Sequence, residues 1–206
     1  EAWAQLRTPA PHWLRSLSSE ITYTQNFYQG LAIADVNGDG LEDLFSCQSD
    51  GLPNRLLIQQ ADGTLRDQSR TSGLNFLDRT RSSLFVDFDN DGDVDLALGT
   101  RKALFIFSNN GQGNFKEAAV LMDHFPSIFS LSSADYDGDG RADLHVCNYY
   151  KQERLHRFSA RPAPETFQDA RNGGENSLFH NTSANGKISF KDATNETGLD
   201  LENHYF

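Results

Sequence analysis

A nine-residue acidic frame occurs three times in this chain. It reads Asp35-V-Asn37-G-Asp39-Gly40-Leu41-E-Asp43, then Asp87-F-Asp89-N-Asp91-Gly92-Asp93-V-Asp95, then Asp135-Y-Asp137-G-Asp139-Gly140-Arg141-A-Asp143. Places one, three, five and nine carry a carboxylate or, once, an amide, and place six is always glycine. Side chains on alternate residues of a tight loop converge on one point. That is what Ca²⁺, a hard cation taking six to eight oxygens, requires, with a backbone carbonyl added at place seven. Those carbonyls belong to Leu41, Asp93 and Arg141. The sixth place makes the sharp turn, which glycine does without steric cost. The frame therefore predicts three Ca²⁺ sites, each with its own ligands.

An EF-hand starts in the same way but needs a bidentate Glu at place twelve and a helix on either side. Here place twelve is Ser46, Leu98 and Val146, and the runs after place nine (Asp43-LFSC, Asp95-LALG, Asp143-LHVC) read as short buried strands.

The formal net charge of -11 is mostly the charge of these loops, which hold 13 of the 29 Asp and Glu. One Ca²⁺ in each loop brings it to about -5. An acidic chain of this kind does not suit nucleic acid, which needs clustered Lys and Arg. No apolar run reaches the ~18 residues of a membrane span. The two cysteines, Cys47 and Cys147, hold equivalent positions in the first and third repeats. A further repeat should separate them, so buried free thiols are expected rather than a disulfide, which needs Cα atoms within ~7 Å.

Around each loop the chain follows one plan: a short strand, the loop, a second strand, and a hairpin. Leu31–Ala34 and Leu44–Cys47 flank the first loop, and Asp62-Gly63 between apolar runs signals a hairpin joining strands three and four. Asn185-Gly186 repeats the signal in the third unit. Loop starts lie 52 and 48 residues apart, and four short strands per ~50 residues is the period of propeller blades. The fold class is therefore all-β, with four-stranded antiparallel meanders as β-propeller blades. The expected division is an N-terminal segment at 1–25, blades at 26–80, 81–126 and 127–203, and the start of a fourth blade at 204–206. Three blades leave the ring incomplete, so further blades of the same or another chain are expected to complete it.

These residues resemble the FG-GAP or VCBS repeats of integrin-like β-propellers. The tails Asn54-R-L-L…D-G-T-L-R-D-Q-S-R-T-S-G-Leu74 and Asn176-S-L-F-H-N…F-K-D-A-T-N-E-T-G-Leu199 are similar to the cartilage acidic protein (ASPIC/UnbV) branch. The second repeat departs from it, with Lys116-EAAVLMD in place of that tail. The resemblance implies a calcium-bearing, extracytoplasmic interaction scaffold without catalysis of its own. The alternative is the propeller part of a calcium-dependent polysaccharide-processing enzyme.

One stretch breaks the repeat. Between strands two and three the third unit carries an insertion, residues 148–173, in which Lys151, Arg154, Arg157 and Arg161 face a single Glu153 over positions 149–161. Tyr149, Tyr150 and Phe158 are interleaved with them. Aromatics with arginine are what interfaces enrich, and long loops are commonly functional. Tyr149, Tyr150, Arg154, Arg157 and Phe158 are thus the candidate contacts for a protein or glycan partner. In a meander successive connections alternate between the two ends of the sheet, which puts this insertion at the end opposite the acidic loop. There is no G-x-S-x-G, no H-E-x-x-H and no cysteine pair at zinc spacing, so no catalytic residue is assigned. Asn181-Thr-Ser and Asn195-Glu-Thr match the N-glycosylation acceptor pattern.

Overall fold

The computed structural model describes residues 30–48, 51–75, 77–100, 103–122, 128–148 and 174–199. The expected N-terminal segment, the insertion from residue 149 on with its five candidate contact residues, and the start of a fourth blade lie outside these residues, while Asn148, the insertion's expected first residue, ends a strand.

Twelve strands form three four-stranded antiparallel sheets, each in chain order. The first sheet is β1 (Leu31–Ala34), β2 (Asp43–Ser46), β3 (Arg55–Gln59) and β4 (Leu65–Asp67). The second is β5 (Thr80–Val86), β6 (Asp95–Thr100), β7 (Leu104–Asn109) and β8 (Phe115–Met122). The third is β9 (Ile128–Ala134), β10 (Asp143–Asn148), β11 (Ser177–Asn181) and β12 (Phe190–Asp192), followed by a short helix, α1 (Thr194–Thr197). The innermost strands β1, β5 and β9 lie side by side in that order, as in the blades of a propeller.

Register is the same in all three sheets at the point that matters. Ala34 pairs with Asp43, Val86 with Asp95 and Ala134 with Asp143. Each acidic loop therefore leaves the end of an inner strand and returns on its ninth residue. The hairpin signals hold too: Gly63 has φ 80°, and Asn185 and Gly186 have φ 55° and 68°, the left-handed pair that a tight hairpin needs.

Period-two alternation decides the packing. In the middle sheet Leu96, Leu98, Phe105 and Phe107 face the first sheet, meeting Val36, Phe45, Leu56, Ile58 and Leu74. Ala97, Leu104 and Ile106 face the third sheet, meeting Ile128, Leu144, Val146 and Phe179. Every residue of β6 is buried. Full burial of a large apolar side chain is worth about 1.5–3 kcal/mol, so two interblade layers dominate the stability. Gly99 allows the third sheet to close in, since a Cβ there would come 2.6 Å from Ile128.

Three elements differ from the sequence expectation. β5 and β9 begin earlier than the apolar runs Leu84–Val86 and Leu131–Ala134 predict, at Thr80 and Ile128, and run through polar residues. Thr80 does so because its N–H and hydroxyl both donate to the Gln48 carbonyl of the preceding blade. The sequence also gave no helix, yet the third tail forms α1, which ends at Gly198 with φ 70°. The second unit, lacking that tail, extends β8 to Met122 instead. Both cysteines are free thiols, Cys47 buried and Cys147 half-buried.

Candidate metal centre

The three loops are wound alike, and the winding is made by side chains bonding to their own backbone. In the first, Asp35 Oδ1 accepts the N–H groups of Gly38 (2.8 Å) and Asp39 (3.1 Å), and Oδ2 accepts that of Gly40 (2.7 Å). Asp135 takes Gly138, Asp139 and Gly140 in the same way, and Asp87 takes Asp91 and Gly92. Place five accepts the N–H of place seven at 2.9 Å in every loop. Gly40, Gly92 and Gly140 have φ 84°, 94° and 86°, so glycine at place six is required by the backbone itself.

The ninth-place carboxylates do a second job. Asp43, Asp95 and Asp143 are buried to about 1% exposure or less. Each ties the loop to the third strand of its blade. One oxygen accepts the N–H of place two (Val36, Phe88, Tyr136), and the other accepts the N–H of Gln59, Asn109 or Asn181.

Carboxylates converge where the spacing placed them. Oxygens of Asp87, Asp89 and Asp95 lie within 4.8 Å of one another, as do those of Asp135, Asp137 and Asp143. The first loop has Asn37 at place three, whose amide donates to Asp39 at 2.9 Å, and forms no such three-carboxylate group. Place five differs between the loops: Asp39 Oδ2 accepts from the Asn37 amide, while Asp139 pairs with the guanidinium of Arg141 at place seven of its own loop. At place seven the Asp93 carboxylate packs against Gly111, and Arg141 Nε donates to the Asn181 carbonyl at 2.9 Å.

The electrostatics distinguish the loops. Burial pushes Asp95 up to about 7. Burial, then the charges of Asp91 and Asp87, raise Asp89 as well. Asp89 Oδ1 is buried with no hydrogen-bond partner among the described residues. The second loop thus gathers negative charge that a cation would relieve. In the third, the Gly140 N–H and its neighbours hold Asp135 below the usual carboxylate range against a smaller effect of burial.

Three contributors escaped the sequence reading. Asn109 Nδ2 donates to the Val36 carbonyl of the preceding blade at 2.8 Å, and Asn181 Nδ2 does the same to Phe88. Each asparagine therefore clamps the preceding blade's loop while its own N–H holds the ninth-place carboxylate of its own. Their common position just before the hairpin was the available signal. Asn181 is fully buried in this clamp and is closed to glycosylation in the folded chain, whereas Asn195 is exposed. The third contributor, His180, stands beside the third loop, with Nδ1 3.2 Å from Asp143 Oδ1 and 3.3 Å from Asp137 Oδ2.

Cartilage acidic protein 1 of Xenopus tropicalis is 27% identical over 157 residues, covering 71% of this chain and 24% of its own length. The Homo sapiens protein of that name is 25% identical over 137 residues, covering 63% and 21%. The chain thus spans about a quarter or less of the length of these relatives. An Agrocybe aegerita lectin, solved in a study of specific recognition of non-reducing terminal N-acetylglucosamine, aligns with TM-score 0.46 at 18% identity, over 82% of this chain and 38% of the lectin. The FG-GAP-like repeat matches at residues 35–98 and again at 87–146. Those two matches cover more than half of the chain and contain all three acidic loops, and the protein belongs to the FG-GAP-like repeat family.

Proposed function

We propose that this chain is a calcium-stabilised interaction scaffold, with one Ca²⁺ in each acidic loop. The observation that carries the reading is the second loop, where Asp87, Asp89 and Asp95 converge around an Asp89 oxygen that is buried and unpartnered among the described residues. Its ligands would be Asp87, Asp89, Asp91 and Asp95 with the Asp93 carbonyl. Asp35, Asn37, Asp39, Asp43 and the Leu41 carbonyl would serve the first loop. Asp135, Asp137, Asp139, Asp143 and the Arg141 carbonyl would serve the third. The ion would join the end of an inner strand to the start of the next, so its role is to hold the blade rather than to react.

Recognition would fall to the insertion between β10 and β11; Asn148, where β10 ends, and Ser177, where β11 begins, are at the end of the sheet opposite the acidic loop. Arginine and aromatic residues there suit a protein or glycan surface. No helix among the described residues is long and apolar enough to cross a membrane. The relatives are named for cartilage, a tissue built of extracellular matrix, which supports an extracytoplasmic setting.

Ions that bind only the folded chain add RT ln(1 + [L]/Kd). At ~1 mM Ca²⁺ and a Kd near ~0.1 mM each loop adds about 1.4 kcal/mol. Adding EDTA should lower the melting temperature, and elemental analysis of calcium-loaded protein should find three ions, falling to two in Asp91→Ala. An EDTA-indifferent melt with no bound metal would refute the reading.

A further inference from the structure

The third loop has a neighbour that the other two lack. The residue just before Gln59, Asn109 and Asn181 is Ile58, Ser108 and His180 respectively. Ile58 is a core residue at 1% exposure. In the third blade the same position of the third strand turns an imidazole onto the acidic loop, half-buried and edge-on to the Tyr136 ring at 6.1 Å.

The carboxylates of this loop differ in what already holds them. Both oxygens of Asp135 and both of Asp143 already accept backbone N–H groups. His180 Nδ1 lies 3.2 Å from Asp143 Oδ1 and 3.3 Å from Asp137 Oδ2, and Asp139 Oδ2 pairs with the half-buried Arg141 guanidinium. Asp137, Asp139 and His180 each bring one ligand atom within 4.8 Å of the others. The set is one nitrogen and two oxygens, drawn from a loop and from a strand about forty residues further on.

We propose that the third loop, which takes Ca²⁺ when that ion alone is offered, is a mixed-donor site that prefers a zinc-type dication through His180 Nδ1, Asp137 and Asp139, while the first two loops remain all-oxygen sites. Imidazole and carboxylate together are the donors that Zn²⁺ uses, at about 2.0–2.2 Å, with water completing four positions. Calcium draws little from an imidazole, whereas first-row transition ions favour it. Arg141 already compensates part of this loop's charge, so the third loop depends less on a hard cation than the second does. The proposal rests on the reading of the loops as metal-binding but not on which ion the other two hold.

The test is zinc titration of EDTA-stripped, dialysed protein, with His180→Ser chosen because serine is what the second blade carries at that position. The wild type should bind one Zn²⁺ at loop three. His180→Ser should weaken it by at least about tenfold with its far-UV circular dichroism unchanged. Asp91→Ala, in loop two, should leave that binding intact. Co²⁺ in place of zinc should give visible absorption bands that His180→Ser loses. Unchanged zinc binding in His180→Ser would overturn the proposal, as would a wild type that binds calcium but no zinc at micromolar concentration. Zinc at loop three with no calcium anywhere would instead sink the calcium reading and leave this one standing.

Discussion

Gly73 shows how tightly single residues are constrained between blades. It has φ 84° and sits under the backbone of Phe115, so that a Cβ would run into the Phe115 carbonyl, while Phe115 N–H donates to Ser72 at 2.7 Å. Gly73→Ala adds left-handed strain to a backbone clash, and a loss of about 2–4 kcal/mol in urea unfolding is expected. Asp67 offers a test in pH. Burial works to raise its pKa, but the Ser69 hydroxyl and N–H and the Arg55 guanidinium outweigh it and hold the carboxyl below its usual value. A depressed acid stabilises the fold above its unfolded pKa of about 3.9 and loses that contribution as pH falls through the lower folded value. Asp67→Asn should therefore cost about 1 kcal/mol at pH 7, given partial solvent screening, and the gap from wild type should narrow as the pH falls below the unfolded pKa of about 3.9. Unfolding curves across that range measure it.

At the scale of elements, the strands were legible because apolar alternation and hairpin dipeptides are local signals. Leu31–Ala34 has the bounds that the sequence predicts. The early parts of β5 and β9 were not legible, since Thr80 and the serines read as loop until a neighbouring strand supplies their partners. The carboxylates of the candidate sites were readable for the same reason as the strands: all their ligands fall within nine residues. Asn181 and His180 were not, because they reach Asp143 from 38 and 37 residues away, and only the meander brings them there. The asparagine clamp can be weighed directly. Asn109→Ala leaves the buried Val36 carbonyl without this donor, and a destabilisation of about 1–3 kcal/mol is expected, read from the denaturation midpoint.

For the whole molecule, the middle blade is the common partner of both layers. Leu98 is fully buried in one layer and Ala97 in the other, so neither outer blade can loosen without uncovering it. Leu98→Ala should cost about 2–5 kcal/mol and shift one cooperative calorimetric transition rather than split it in two. The outer faces differ from the inner ones. Ile33 is 58% exposed on the first blade, and Tyr136 is 47% exposed on the third, although its counterparts Val36 and Phe88 are buried. The clamp also has a direction in time. Asn109 follows Val36 by 73 residues, and a ribosome adding about 5–20 residues per second takes roughly 4–15 s to make that interval. The first and second blades are thus each synthesised before the asparagine that clamps them exists, and the pace of translation sets how long the open face of each waits.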